Sequence, residues 1–396
     1  MRDPDALTRG LVAPDPAVTA GAGGPPPGFR VVDTYVAVPD LSHPQLLLPE
    51  GSASAAARAL RRFAQGSGLP ARLLALGAAG GVRGGGLGLL RRNRVTVSVA
   101  GETPAERLGE LVLRRHLEQS LGREGLQLAI RVGAVRPNGK PVVQVMDSAG
   151  EPVGFCKIGW NELTRPLVAG EADALAELGE VPGQLTFSVP RLLQRGAWQG
   201  LELLLVEAIS ERGRPTGADP PVRATGEVAD LGGRSRERLA ESRWWADVHS
   251  RLAAAPHPTL AADVSRVADR FGSVEMTFGG SHGDWTPWNM SRAGGRLVVW
   301  DWERFRHGVP LGLDLVHYSF MVALRRRGQS AGEAAGHVLA GTPPRLEAIG
   351  ADRGHAALVL MLHQLEMGVR FAEAKAAGVD VRHDLFAESL HRMLEA

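Results

Sequence analysis

Apolar and polar positions alternate along three short runs, residues 126–135, 142–146 and 153–158, and that period of two predicts three β-strands. The joints between them are Pro137-Asn138-Gly139-Lys140 and Asp147-Ser148-Ala149-Gly150, whose Asn, Asp and Gly tolerate the backbone angles of tight turns. The three runs therefore read as an antiparallel meander. Upstream, Arg30-Val31-Val32-Asp33-Thr34-Tyr35-Val36-Ala37-Val38 and Gln45-Leu46-Leu47-Leu48 are strand-like, and residues 52–65 are helix-like. Thr103-Pro104-Ala105-Glu106 predicts a helix running to residue 120, with Thr as cap, Pro in the first turn and Glu at the capping-box position.

Apolar positions in residues 168–178 recur at helical spacing, with Leu175 and Leu178 on the inner side and Glu171 on the same helix. Residues 189–193 and 201–206 return to strand character. After Val206-Glu207-Ala208-Ile209, the polar stretch to 233, with Gly213, Pro215, Gly217, Pro220 and Pro221, reads as an irregular insertion. Helices are expected over 235–254 and from 310 to the end. Strands first and helices afterwards point to an α+β protein.

At 396 residues and 44% hydrophobic content the chain can hold two or three packed units. A net charge of +2 carries no concentrated basic stripe, so nucleic acid is not an expected partner. The lone Cys156 excludes an intrachain disulfide and reads as a small core residue. No apolar run reaches membrane-spanning length and no secretory signal is evident, so a cytoplasmic protein is expected. Residues 1–28, rich in Pro, Gly and Ala, read as a disordered tail. The glycine-dense stretch 80–88 lacks the Lys-Ser/Thr of a P-loop and reads as a connector. Lysine is confined to positions 140, 157 and 375 in an arginine-rich chain, which singles out Lys157 as a place where a compact ammonium does what a planar guanidinium cannot.

The chemistry concentrates in Ser281-His282-Gly283-Asp284-Trp285-Thr286-Pro287-Trp288-Asn289-Met290 and, one strand later, Leu297-Val298-Val299-Trp300-Asp301-Trp302-Glu303. Asp284 can accept a hydroxyl proton. Asn289 and Asp301 offer oxygens to magnesium, a hard cation that prefers carboxylate, amide and phosphate.

These loops resemble the catalytic and metal loops of the aminoglycoside phosphotransferase family, the small-molecule branch of the protein-kinase-like fold. The resemblance covers residues 126–320, and the first hundred residues match nothing in that family's core. Trp302-Glu303 after Asp301, where protein kinases carry Phe-Gly, favours the small-molecule branch.

The resemblance implies a two-lobed protein-kinase-like fold, with a β-rich small lobe, a helical large lobe and an N-terminal extension. It divides the chain into a tail (1–28), an extension of unknown role (29–100), a small ATP-binding lobe (101–207) and a large catalytic and acceptor-binding lobe (208–396). It implies ATP and Mg²⁺ as cofactors and a small-molecule hydroxyl as acceptor, on a sugar, amino sugar, aminoglycoside-like compound or amino alcohol. Asp284 would be the general base or acceptor-orienting group, with Asn289 and Asp301 on the metal. Lys157 would bind the α- and β-phosphates and pair with Glu171. The backbone of Glu207 and Ala208 would meet the adenine edge. His282 would brace the catalytic loop and Asp314 would tie its backbone.

Other readings remain at this point. Lys140 is either a phosphate-covering group or a surface turn residue. Trp285 and Trp288 are either an acceptor wall or loop packing, while Trp300 and the Trp244-Trp245 pair read as core. Glu303, Asp352 and Glu366 are candidates for attracting a cationic acceptor, although Arg325-Arg326-Arg327 argues against a strongly anionic surface. A nucleotide-binding pseudokinase, or a non-catalytic partner in carbohydrate or polysaccharide assembly, would use parts of the same sequence.

Overall fold

In a computed structural model of the chain, the structure describes residues 12, 14–42, 44–64, 79–82, 92–131, 139–181, 183–209, 213–379 and 384–395. The chain forms two compact units, Met1–Ala172 with Arg191–Glu211, and Asp173–Pro190 with Arg212–Ala396. The class is α+β, β-rich first and helical afterwards, as expected.

The first unit runs β1 (Val18–Ala22), β2 (Phe29–Val38), β3 (Leu46–Pro49), α1 (Ala53–Ala64), β4 (Arg94–Ala100), α2 (Leu108–Leu111), α3 (Leu113–Leu121), β5 (Gln127–Arg131), β6 (Val142–Met146), β7 (Pro152–Gly159) and the start of α4 (Thr164–Glu180). The chain leaves for β8 (Phe187–Ser188) in the second unit and returns as β9 (Leu192–Trp198) and β10 (Leu201–Glu207). Nine of these strands form one sheet, ordered β1-β4-β2-β3-β5-β6-β7-β10-β9, with every pairing antiparallel. Alternation sorts its side chains. Val36, Leu46 and Leu48 face one way onto Ala56 and Leu60 of α1, while Tyr35, Ala37 and Leu47 face the other core with Val97, Leu117, Val143 and Cys156.

Three expectations change here. Part of the supposed tail, Val18–Ala22, is a strand paired residue for residue with Val95–Val99, because Val18 and Ala20 meet the valines of β4 in a shared core. Residues 29–100 are no separate extension. Tyr35, Leu47 and Val97 share their core with Leu128, Cys156 and Leu205, so the sheet is continuous through residue 100. The helix expected over 103–120 breaks at Val112 (φ −129°, ψ 121°), which bridges to Val12. The glycine stretch 83–88 and the turn residues 137 and 138 lie outside the described residues.

The second unit continues with β11 (Arg214–Pro215), α5 (Val222–Asp230), β12 (Ser235–Arg238), α6 (Arg243–Ala254), α7 (Pro258–Phe271), β13 (Glu275–Ser281), β14 (Met290–Ala293), β15 (Arg296–Val299), β16 (Arg306–Pro310), α8 (Leu313–Arg326), α9 (Ala331–Ala348), α10 (Ala356–Ala376) and α11 (Leu385–Glu395). Its strands form two small sheets, β11-β14-β15-β8 and β12-β13-β16. The stretch read as an irregular insertion holds α5, since Ala224, Thr225, Val228 and Ala229 bury one helical face. Residues 235–238, expected to open a helix, pair instead with β13. A core from Trp244, Leu260, Phe278, Phe320, Leu362 and Leu390 joins the helices to these strands. Among the described residues no helix is long and apolar enough to cross a membrane.

Candidate active site

Strand β13 delivers the chain to the loop 282–289 and the β14–β15 hairpin returns it to Asp301, so one strand and one hairpin set the positions of three polar side chains. Asp314, in the first turn of α8, fixes the entry. Its carboxylate accepts from Ser281 Oγ (3.0 Å) and from the amides of His282 (2.8 Å) and Gly283 (3.0 Å). Gly283 has φ +78°, and a Cβ there would lie 2.6 Å from the Arg304 carbonyl oxygen, so only glycine fits. His282 is fully buried. Its Nδ1 accepts from the Asp284 amide (3.1 Å) and its Nε2 donates to the Trp300 carbonyl (3.1 Å), tying the loop to the end of β15.

The Asp284 carboxylate is held at both oxygens. Oδ1 takes His317 Nε2 at 3.1 Å and Oδ2 takes Asn289 Nδ2 at 2.8 Å. Surrounding protein disfavours its charge, yet the hydrogen bond and charge of His317, the nearby His282 and the Asn289 amide outweigh this and hold Asp284 well below the usual carboxylate range. The side chain still keeps 36% of its surface exposed, so an acceptor can reach it.

Behind Asp284 stand two histidines. His317 Nδ1 lies 2.9 Å from His363 Nε2, and both rings are buried. Burial, with His317 and Arg370 nearby, keeps His363 well below its usual value and therefore neutral. His317 Nε2–H donates to Asp284, whichever of the two facing ring nitrogens carries the proton between His317 and His363.

Asn289 spends its amide nitrogen on Asp284, on Oδ2 and on the backbone oxygen (3.0 Å), which turns its amide oxygen away without a protein partner among the described residues. Asp301 adopts φ +71°, a left-handed conformation rarely held by a residue with a side chain and best tolerated by Asn and Asp. One amide oxygen and one carboxylate are ligands suited to a hard divalent cation, so the donor set fits Mg²⁺.

In the first unit, Lys157 on β7 and Glu171 on α4 form a close ion pair, Nζ to Oε1 2.7 Å and to Oε2 2.6 Å, with Glu171 buried. Glu171 rather than Glu177 is the partner; Glu177 meets His307 within the second unit. Gly154 lets β7 pass close to β10, since a Cβ there would sit 2.4 Å from the Val206 carbonyl oxygen. The amides of Glu207 and Ala208 already donate to Arg191 O (2.9 Å) and Val153 O (3.3 Å). Burial pushes the Cys156 thiol up to about 12, which leaves it inert.

The tryptophans divide. Trp285 and Trp302 are fully buried and clasp His282, with ring centroids 5.4 and 4.6 Å away, and both contact Phe187. They stiffen the loop. Trp288 is 41% exposed and remains open to a ligand. Of the acidic candidates, Asp352 caps a short 3₁₀ turn through the Gly354 amide. Glu366 is buried between Arg251 (3.1 Å), Arg306 (2.8 Å) and Arg370 (2.8 Å), which hold it well below its usual value against the opposing effect of burial. Neither waits for a cationic substrate.

Sequence reasoning missed His317, His363 and Arg370. His317 had a signal: it follows Asp314 by three residues, so one helical turn puts both on the face that meets the loop. Arg370 donates to the Gly283 carbonyl at 2.6 Å from a distant helix, a contact without any local signature.

No protein-family model and no curated protein matches the chain. Solved structures align at low identity. A provisional fructosamine-3-kinase from Haemophilus somnus 129PT shares 12% identity at a TM-score of 0.43, covering 72% of this chain and 95% of that one. A thermostable variant of the aminoglycoside phosphotransferase APH(4)-Ia, with ADP and hygromycin B, shares 13% at 0.43, covering 70% and 97%. A glucosamine kinase shares 16% at 0.33, covering 74% and 85%. At these scores the chemistry of the site rests on its own residues.

Proposed function

We propose that the protein is an ATP- and Mg²⁺-dependent phosphotransferase that moves the γ-phosphate to a hydroxyl of a small molecule. The observation that carries this reading is the doubly held Asp284 carboxylate, ionised and reachable, beside an Asn289 amide oxygen left without a protein partner. Phosphoryl transfer runs through a loose transition state, so orienting the attacking hydroxyl matters more than removing its proton early. A strongly depressed carboxylate suits that division: Asp284 accepts the hydroxyl hydrogen bond and aligns the oxygen, and takes the proton late.

Asn289 and Asp301 would hold Mg²⁺, which supplies charge neutralisation at the phosphates. Lys157, pre-positioned by Glu171, would bind nucleotide phosphates as a point charge. Glu207 and Ala208 would offer adenine their carbonyl oxygens, their amides being spent in the sheet. A radiolabelled γ-phosphate transfer screen against sugars, sugar acids, aminoglycosides and amino alcohols tests the reading. Label should appear in an acceptor only with Mg²⁺ present; ATP binding with no labelled product across the panel would favour the pseudokinase.

A further inference from the structure

Strand β3 leaves β5 early. The two pair only at Leu46 with Arg131 and Leu47 with Ile130, after which Pro49 stays with Tyr35 of β2 while Gln127 goes with Met146 of β6. The strands part there, and Arg114 of α3 reaches the gap. The result is a cleft of about 360 Å³ within the first unit, lined by Asp33, Tyr35, Glu50, Gly51, Arg114 and Gln127 among others. Small-molecule sites span about 300–1,000 Å³, so this one suits a ligand of modest size. None of its residues has a part in the proposed phosphoryl transfer.

Asp33 is held rigidly and used only in part. Its side chain is 8% exposed; Oδ1 accepts from Arg114 Nε at 2.6 Å, while the buried Oδ2 has no hydrogen-bond partner. A bulge in β2 between Val31 and Asp33 presents the Val32 carbonyl to Arg114 Nη2 (3.2 Å), and Nη1 donates to Glu118 (2.7 Å). Each nitrogen of the guanidinium is thus engaged within the protein, and the second oxygen of Asp33 is left for a donor from outside. An unmet acceptor in the interior is costly, and a ligand that brings a donor removes that cost. Gln127 adds a second acceptor. Its amide nitrogen donates to the Gly125 carbonyl (3.3 Å), and its amide oxygen lies towards Gly51, 3.8 Å from where a Cβ would stand.

The charges around the cleft cancel in pairs. Asp33 and Glu118 face Arg114 and Arg115, and Glu50 faces Arg94. Burial raises Asp33 from its ordinary value; Glu118 adds to the rise, and Arg114 and Arg115 oppose it. Tyr35, on the same face of β2, is kept a neutral hydroxyl by burial. Neither an ammonium nor a phosphate gains from a field that sums to zero. Acceptors without net charge, beside the apolar Val31, Pro49 and Leu128, suit hydroxyls carried on a carbon ring.

We propose that this cleft binds a neutral polyhydroxyl compound of monosaccharide size, with one hydroxyl donating to Asp33 Oδ2 and another to Gln127 Oε1. The site goes beyond the phosphotransferase reading and does not depend on it.

The chain has two tyrosines, Tyr35 and Tyr318, so fluorine NMR of the full chain carrying fluorotyrosine reports the cleft and the second unit separately, with Tyr35→Phe assigning the signals. Titration with glucose, galactose, mannose and myo-inositol should move the Tyr35 signal saturably for at least one of them; ethanolamine and inorganic phosphate should leave it in place. In Asp33→Asn, Arg114 keeps the amide oxygen facing it, so a donor takes the place of Oδ2. Affinity for the best polyol should fall at least about tenfold. Gly51 is exposed and accepts a Cβ without a clash, so Gly51→Phe should fill the mouth, abolish the response and keep the test available if Asp33→Asn does not fold. Four results overturn the proposal: no Tyr35 response to any of the four polyols, movement of Tyr318 alone, a response to ethanolamine or phosphate at least as strong as to the polyols, or undiminished polyol affinity in Gly51→Phe or in folded Asp33→Asn.

Discussion

His317 Nε2 lies 3.1 Å from Oδ1 of Asp284, and the same ring is backed at 2.9 Å by the neutral His363. The arrangement keeps a proton on His317 Nε2 and points it at the carboxylate. In the proposed reaction it makes His317 a positioning residue, acting on the hydroxyl only through Asp284.

Replacing His317 with Ala should lift Asp284 towards its usual range, because hydrogen bond and charge are lost together. A group depressed in the folded enzyme sets the acid limb of activity at low pH, so the limb should move to higher pH in His317→Ala. We expect kcat to fall about 10- to 100-fold at neutral pH with the ATP KM little changed. A pH profile of kcat/KM in both proteins checks this; an unmoved limb would remove His317 from the site.

Glu366 predicts a pH dependence of stability. Its folded value lies well below the ordinary 4.5, so its stabilisation is complete above 4.5 and is lost as pH falls through the folded value. Denaturant midpoints of the wild type should therefore decline below about pH 4.5. Glu366→Ala leaves three arginines facing no partner at that position and should cost about 3–5 kcal/mol at neutral pH. Equilibrium unfolding in urea at several pH values measures both.

Lys157→Ala leaves the buried Glu171 carboxylate without its ammonium. The ATP requirement should rise at least about tenfold. Stability should fall by about 3 kcal/mol, since an uncompensated buried charge is left. Changing both residues, Lys157→Met with Glu171→Leu, should restore stability without restoring nucleotide affinity. Thermal unfolding with and without ATP separates the two effects.

Asp314→Ala removes an acceptor shared by Ser281, His282 and Gly283. Two backbone amides next to Asp284 lose their partner, and in the proposed reaction a misplaced carboxylate would orient the hydroxyl poorly. We expect kcat to drop about 100-fold while ATP still stabilises the protein. Hydrogen exchange at the amides of His282 and Gly283 should accelerate in the variant, and wild-type protection there would contradict the assignment.

Much of this was legible in the order of residues. Period-two alternation located β6 and β7 to within a residue, because both strands face a core on at least one side. The pairing of Lys157 with Glu171 comes from the family resemblance, with lysine scarcity and the meander marking Lys157. The Asp284 loop showed itself because its residue pattern is local, with Asn289 only five positions beyond Asp284. What stayed hidden depends on distant partners. Val18–Ala22 looks unstructured among Gly and Pro until β4 supplies its hydrogen bonds. Glu366 read as a free acid because its neutralisers, Arg251 and Arg306, come from other elements.

The most direct test of the central claim is γ-phosphate transfer by Asp284→Ala on an acceptor that the wild type labels, with ATP stabilisation measured in parallel. Asp284→Ala should keep the ATP-dependent rise in unfolding temperature and lose turnover by at least about 10²-fold. Wild-type transfer rates in that variant would contradict the account.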